Sequence, residues 1–341
     1  MRSFSQLPLK SLSERVLNDK ADDFEEMLYA QFPSDDFWNT RFGGSDAKNA
    51  TDDANIPILF TTGYNDYYIG GMFKMWNRLS ERTRLKSAML VSPYNHGDCY
   101  SETEGIAFPS GRRNEQFGNT YQIDWFDNIR KCYPLRFKKG VITYYRAFEN
   151  CWRSDFYSDN TNMLSLPLGD DFAEFLYDPL NPPAFCGEGN SLPDFSDRND
   201  VITLYTAPYD KDIFIKGQMN AALAVSSDRP DTSFYVGVSI EKPQGDYFLR
   251  HDITSLCYQL GDYIPDSEVT LNFRFDEYAF LLKRGERLRI DITSTDNNTY
   301  VCHTNYKGPY CLQEKSAIAT NRINLSRSKI LLPLEEIHIN I

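Results

Sequence analysis

The sequence predicts a two-part chain, α/β followed by all-β: a parallel βαβαβ unit over residues 51–150, then an antiparallel β-sandwich over 200–341. Three observations predict it. Between Ile56 and Tyr145, short apolar runs alternate with a helical stripe and a second helical stretch. The next fifty residues shift to Pro, Asp, Asn and Gly. Beyond them, short strand-like runs are separated by turns such as SDRPD, KPQGD and KRGE, with no long helical stripe.

Taken in order, residues 1–50 begin with a short apolar stripe at Phe24, Met27, Leu28 and Gln31, ended by Pro33 and followed by a loop-like stretch. Ile56–Phe60 then reads as a buried strand closed by Gly63. Ile69, Met72, Phe73 and Trp76 fall at i, i+3, i+4 and i+7, one face of an amphipathic helix. Ala88–Val91 gives a second buried strand, stopped by Pro93. A further helix is expected from Asn114 to Lys131, with Phe117, Tyr121, Trp125, Phe126 and Ile129 as its apolar face, and a third strand over residues 140–145. Residues 151–199, with DPLNPPAF their densest turn stretch, read as a linker along the surface. The sandwich strands are expected at VITLYTA, DIFIKGQMNAALAVSS, SFYVGVSIE, VTLNFRFDEY, LRIDITS and IHINI.

Two titratable residues follow from this arrangement. Asp66 lies just past the first strand and His96 just past the second, 30 residues apart, the length one right-handed crossover consumes. Both therefore belong at the carboxyl edge of a parallel sheet, where open α/β sheets keep their ligands. An Asp beside a His can fix its tautomer and stabilise the imidazolium. The plainer alternative makes Asp66 a helix cap and His96 a loop residue. No G-x-S-x-G nucleophile elbow occurs; Gly43-Gly44-Ser45 is the nearest stretch and precedes the first strand. Three parallel strands leave the first with an open edge, where exposed apolar side chains are expected.

Composition excludes several classes. A net charge of −12 argues against nucleic acid and against an anionic membrane surface as partners. No apolar run is long enough to span a bilayer, and the first residues carry no secretory signal, so a cytoplasmic location is expected. Seven scattered cysteines without CxxC pairs read as reduced thiols. Four histidines without HxH or HExxH spacing give no metal site, and no cofactor is expected. Cys99, close to His96, is a weaker alternative as a metal ligand or replacement nucleophile.

The motifs resemble the C-terminal part of the cocaine-esterase-like and X-prolyl dipeptidyl-peptidase-like serine hydrolases. Gly63-Tyr64-Asn65-Asp66 is similar to that family's Gly-Trp-Tyr-Asp, and Pro93-Tyr94-Asn95-His96 to its Pro-Trp-Ser-His. Trp125-Phe126-Asp127, Trp152, Tyr177-Asp178-Pro179, residues 225–234, 285–290 and 321–323 also match, in family order. The resemblance implies a partial α/β-hydrolase domain followed by a jelly-roll sandwich, with residues 1–50 a remnant of the helical cap. It implies Asp66 and His96 as the acid and base of a Ser-His-Asp triad for ester, amide or peptide substrates. It also implies that the serine and the oxyanion Tyr lie outside this sequence. Asn65 departs from the family's Tyr. The expected partner is a second polypeptide bearing the nucleophile, or a further copy of the chain. The competing expectation is a non-catalytic jelly-roll binding protein derived from a hydrolase.

Overall fold

The computed structural model describes residues 7–19, 21–32, 35–41, 54–96, 108–157, 162–187, 191–243 and 245–335. The first of these form short helices, α1 (Leu12–Leu17), α2 (Asp22–Tyr29) and α3 (Asp36–Arg41). Strand β1 (Leu59–Gly63) leads to α4 (Ile69–Arg78) and the short α5 (Glu81–Arg84), then to β2 (Ala88–Ser92). In α4 the stripe works as its spacing predicts: Ile69, Phe73 and Trp76 are buried, and Trp76 meets Phe60 of β1 edge-on at 6.0 Å.

The stretch expected as one helix is two, α6 (Arg113–Phe117) and α7 (Tyr121–Lys131). They are parted at Gly118, whose φ of +86° no helix residue adopts. Its apolar face is also narrower than expected. Phe117 and Trp125 are buried, whereas Phe126 and Ile129 are exposed.

Strand β3 (Ile142–Arg146) completes the parallel set, and β4 (Cys151–Asp155) turns back against it, giving the order β1-β2-β3-β4. β1 pairs parallel with β2, and β2 with β3. The outer edge of β1 is thus unpaired among the described residues. Its side chains are nevertheless buried or half-buried; the exposed apolar residues lie beyond its ends, at Ile56 before it and Tyr67 and Tyr68 after it.

Residues 151–199 are not simply a linker. Besides β4 they contribute β5 (Met163–Pro167) and β6 (Phe172–Tyr177), and the Pro-rich stretch beyond Asp178 is irregular among its described residues. The remaining strands are β7 (Ile202–Tyr205), β8 (Ile213–Gly217), β9 (Asn220–Ser227), β10 (Ser233–Ile240) and β11 (Tyr247–Ser255). After α8 (Leu256–Leu260) come β12 (Val269–Arg274), β13 (Tyr278–Leu282), β14 (Leu288–Thr293) and the long β15 (Ala319–Pro333). One antiparallel sheet runs β11-β10-β14-β7, a second runs β12-β9-β15-β5 with β6 also on β15, and β8 and β13 form a separate antiparallel pair. Val236, Val238 and Ile290 of the first sheet and Leu223, Val225, Ile323 and Ile330 of the second share one buried core, which makes the pair a sandwich. The expected strand IHINI lies outside the described residues.

The two parts are joined covalently by chain and physically by a seam. Ala147, just past β3, exchanges backbone hydrogen bonds with β13, accepting from Leu281 N–H at 2.9 Å and donating to the Ala279 carbonyl at 3.0 Å. Beside it, buried Arg146 pairs with Glu149 at 2.7 Å and with Glu335, while Lys216 pairs with Asp155 at 2.9 Å and Glu335 at 3.4 Å.

Candidate active site

The loops after β1 and β2 are stitched together by backbone hydrogen bonds. Tyr64 N–H donates to the Ser92 carbonyl at 2.9 Å, and Asn65 N–H to the Tyr94 carbonyl at 3.0 Å. The Asn65 side-chain amide adds a bond to the Pro93 carbonyl at 3.2 Å. These bonds carry the parallel ladder two residues past the strands and fix Asp66 opposite His96.

The result is direct contact. His96 Nδ1 lies 3.0 Å from Asp66 Oδ2. The same oxygen accepts the Thr62 hydroxyl at 3.1 Å, and Oδ1 accepts the Tyr68 N–H at 3.1 Å, opening the turn into α4. One carboxylate thus does two things: it closes the turn ahead of α4, whose N-cap is Tyr68 and not Asp66, and it faces the imidazole. Its side chain is 1 % exposed, whereas the His96 side chain is 74 % exposed. With Nδ1 turned to Asp66, covalent geometry puts Nε2 on the far side of the ring. Tyr68 meets the His96 ring edge-on at 5.7 Å. An imidazole so held has its tautomer set by the carboxylate and its second nitrogen free to exchange a proton.

Sequence reasoning missed two supports. Thr62, four residues before Asp66 and next to the end of β1, donates its hydroxyl to the carboxylate. Buried Arg113 of α6 donates to the Thr62 carbonyl, tying the helix pair to the strand end. A lone Thr in a strand and an Arg 51 residues away carry no local signal. Behind the loop, Tyr64 stacks on Tyr278 with ring centres 4.3 Å apart, and the Arg250 guanidinium lies 4.6 Å from the Tyr278 ring. Gly70 of α4 packs so tightly on Asp276 that a Cβ there would meet its Oδ1 at 2.2 Å. The sandwich thus buttresses the turn that holds Asp66.

Among the described residues no group of three His, Cys, Asp or Glu side chains could hold a metal ion. Cys99 and Ser45 lie outside the described residues. The six described cysteines are free thiols, and no described helix is long and apolar enough to cross a membrane.

A family model described as the X-Pro dipeptidyl-peptidase C-terminal non-catalytic domain matches residues 144–329. The chain belongs to that family. The match to this dipeptidyl-peptidase domain runs from within β3 to within β15, so it takes in nearly all of the sandwich and leaves Asp66 and His96 before it. Solved structures share the fold more widely. An aminopeptidase from a marine sediment Thaumarchaeota archaeon aligns over 96 % of this chain with a TM-score of 0.82 at 16 % identity. An α-amino acid ester hydrolase aligns over 97 % with the same TM-score and identity, and a CocE/NonD family hydrolase from Staphylococcus aureus over 98 % with a TM-score of 0.62 at 14 % identity. The chain spans 62 %, 64 % and 62 % of those three chains. No curated protein matches it.

Proposed function

We propose that residues 54–157 are the C-terminal portion of an α/β-hydrolase domain. In this reading Asp66 and His96 are the acid and base of a serine acyl hydrolase whose nucleophile comes from outside these 341 residues. The contact at 3.0 Å between a buried carboxylate and an exposed imidazole carries it. His96 Nε2 takes the proton of an incoming serine hydroxyl as it attacks an ester or amide carbonyl, then returns that proton to the leaving group. Asp66 holds the ring through Nδ1 and stabilises the imidazolium. The edge of β1 that is unpaired among the described residues is where further strands would add, as a second polypeptide or a preceding segment. The aminopeptidase and ester hydrolase of like fold suggest peptide, ester or amide substrates.

The test is reconstitution. The 341-residue chain alone should not react with a fluorophosphonate probe. Co-produced with a polypeptide bearing a strand and G-x-S-x-G, it should hydrolyse an activated ester, and His96→Ala should abolish that activity. Labelling of the chain alone that disappears in His96→Ala would place the nucleophile within it. Reconstituted activity indifferent to His96→Ala would remove the pair from the chemistry.

The second reading is a non-catalytic binding protein built on the jelly-roll sandwich. The match to a domain described as non-catalytic favours it, and it predicts no hydrolysis in any reconstituted mixture.

A further inference from the structure

A cavity of about 650 Å³ lies away from the Asp66–His96 pair, between α2 and one face of the sandwich. Its volume falls in the range of small-molecule sites. Met27, Leu28 and Phe32 form one wall; Ile253, Tyr258 and Tyr300 form another. The Phe32 and Tyr258 rings stack at 5.6 Å, within 11° of parallel, so the short N-terminal segment closes over the sandwich as a roof.

The polar part of the lining is asymmetric in charge. Asp231, 5 % exposed, accepts the Cys257 N–H on Oδ1 at 3.0 Å, and its Oδ2 lies 3.3 Å from His303 Nε2. His303 is itself buried, and its Nδ1 accepts the Asn305 N–H at 2.9 Å. A ring nitrogen that accepts carries no proton, so Nδ1 is the bare nitrogen in this arrangement. The hydrogen-bond donor to the Asp231 carboxylate is thus the uncharged Cys257 N–H, and His303 Nε2 lies near Oδ2 without a hydrogen bond. Lys307, the cation of the lining, is taken up by Asp262 at 2.6 Å. Cys257 is a wall and not a nucleophile: burial first, then the Asp231 charge, pushes its thiol up to about 11.

We propose that this cavity binds a small organic cation with an aromatic body, its ammonium drawn to Asp231 and its ring set among the aromatic walls. Charge complementarity and the aromatic lining select it, since a cation gains both from the carboxylate and from ring faces. The site is separate from the hydrolase chemistry and stands or falls without it.

Titration calorimetry of the full chain with 2-phenylethylammonium, 2-phenylethanol and 3-phenylpropanoate tests the proposal. The cation should bind one per chain, about tenfold or more tighter than the neutral alcohol, with the carboxylate weakest. Asp231→Asn, which keeps an acceptor for the Cys257 N–H, should bring cation and alcohol to within about twofold. Leu28→Trp, placed on the roof helix, should fill the cavity and abolish binding of all three; it decides the matter if Asp231→Asn does not fold. Equal binding of the three probes, no binding at ~10 mM, or cation binding that survives Leu28→Trp would overturn it.

Discussion

Gly63 and Tyr94 approach so closely that a Cβ on the glycine would lie 1.9 Å from the Tyr94 carbonyl oxygen. That oxygen is already held by the Asn65 N–H, so it has nowhere to retreat. Gly63→Ala should part the two loops and cost stability at the upper end of the roughly 1–3 kcal/mol typical of overpacking. Gly71, exposed on α4 with open space around it, is the control: Gly71→Ala should stabilise by about 0.5–1 kcal/mol. Denaturant melts of the two variants check both signs.

Asp66 and His96 differ in what they do for the fold. Asp66→Ala leaves the Tyr68 N–H and the Thr62 hydroxyl without their acceptor and should cost about 1–3 kcal/mol. His96→Ala, at an exposed side chain, should change stability by less than about 0.5 kcal/mol. A His96→Ala chain that melts like the parent but forms an inactive reconstituted enzyme separates the chemical role from the structural one.

Glu277 supplies a pH dependence. Burial pushes its carboxyl from an ordinary 4.5 up to about 7, and Oε2 has no hydrogen-bond partner among the described residues. A carboxyl whose pKa rises on folding favours the protonated folded state, so its contribution is full below about pH 4.5 and is lost as pH climbs through about 7. Glu277→Gln, neutral at every pH, should match the parent near pH 4.5 and be the more stable at pH 8, by up to about 3 kcal/mol. Urea midpoints across that range measure it.

Arg146 and Glu335 lie on the seam between sheet and sandwich. Arg146→Met leaves half-buried Glu335 only its 3.4 Å contact with Lys216 and Glu149 only Arg153, and losing these charged hydrogen bonds should cost about 1–3 kcal/mol. Pairing it with Glu335→Gln should recover part of that loss, and a double-mutant cycle reads the coupling. Additive losses would mean that the two side chains act independently.

The α/β part was legible because its signals are local. The stripe from Ile69 to Trp76 and the short runs at Phe60 and Leu90 name their own partners by period and length. Crossover length places Asp66 and His96 at one sheet edge, and the resemblance of Gly63–Asp66 and Pro93–His96 to the hydrolase motifs pairs them. What escaped depends on distant chain. Nothing within MLSLP or FAEFLY says that β15 pairs with them, so β5 and β6 read as linker. Gly118 sits between aromatics that keep helical spacing, so the break shows only in its positive φ. Arg113 and Thr62 show their function only once α6 is laid against the end of β1.

The long strand β15 has a consequence for how the chain is made. Met163 waits for Pro333 and Tyr177 for Ala319, so two early strands emerge from the ribosome well before their neighbour. At ordinary translation speeds that interval is on the order of ten seconds. During it, half-built β-surface is open to sticking to other nascent chains, and holdase chaperones should raise the soluble yield more than slower induction of an all-helical protein would need.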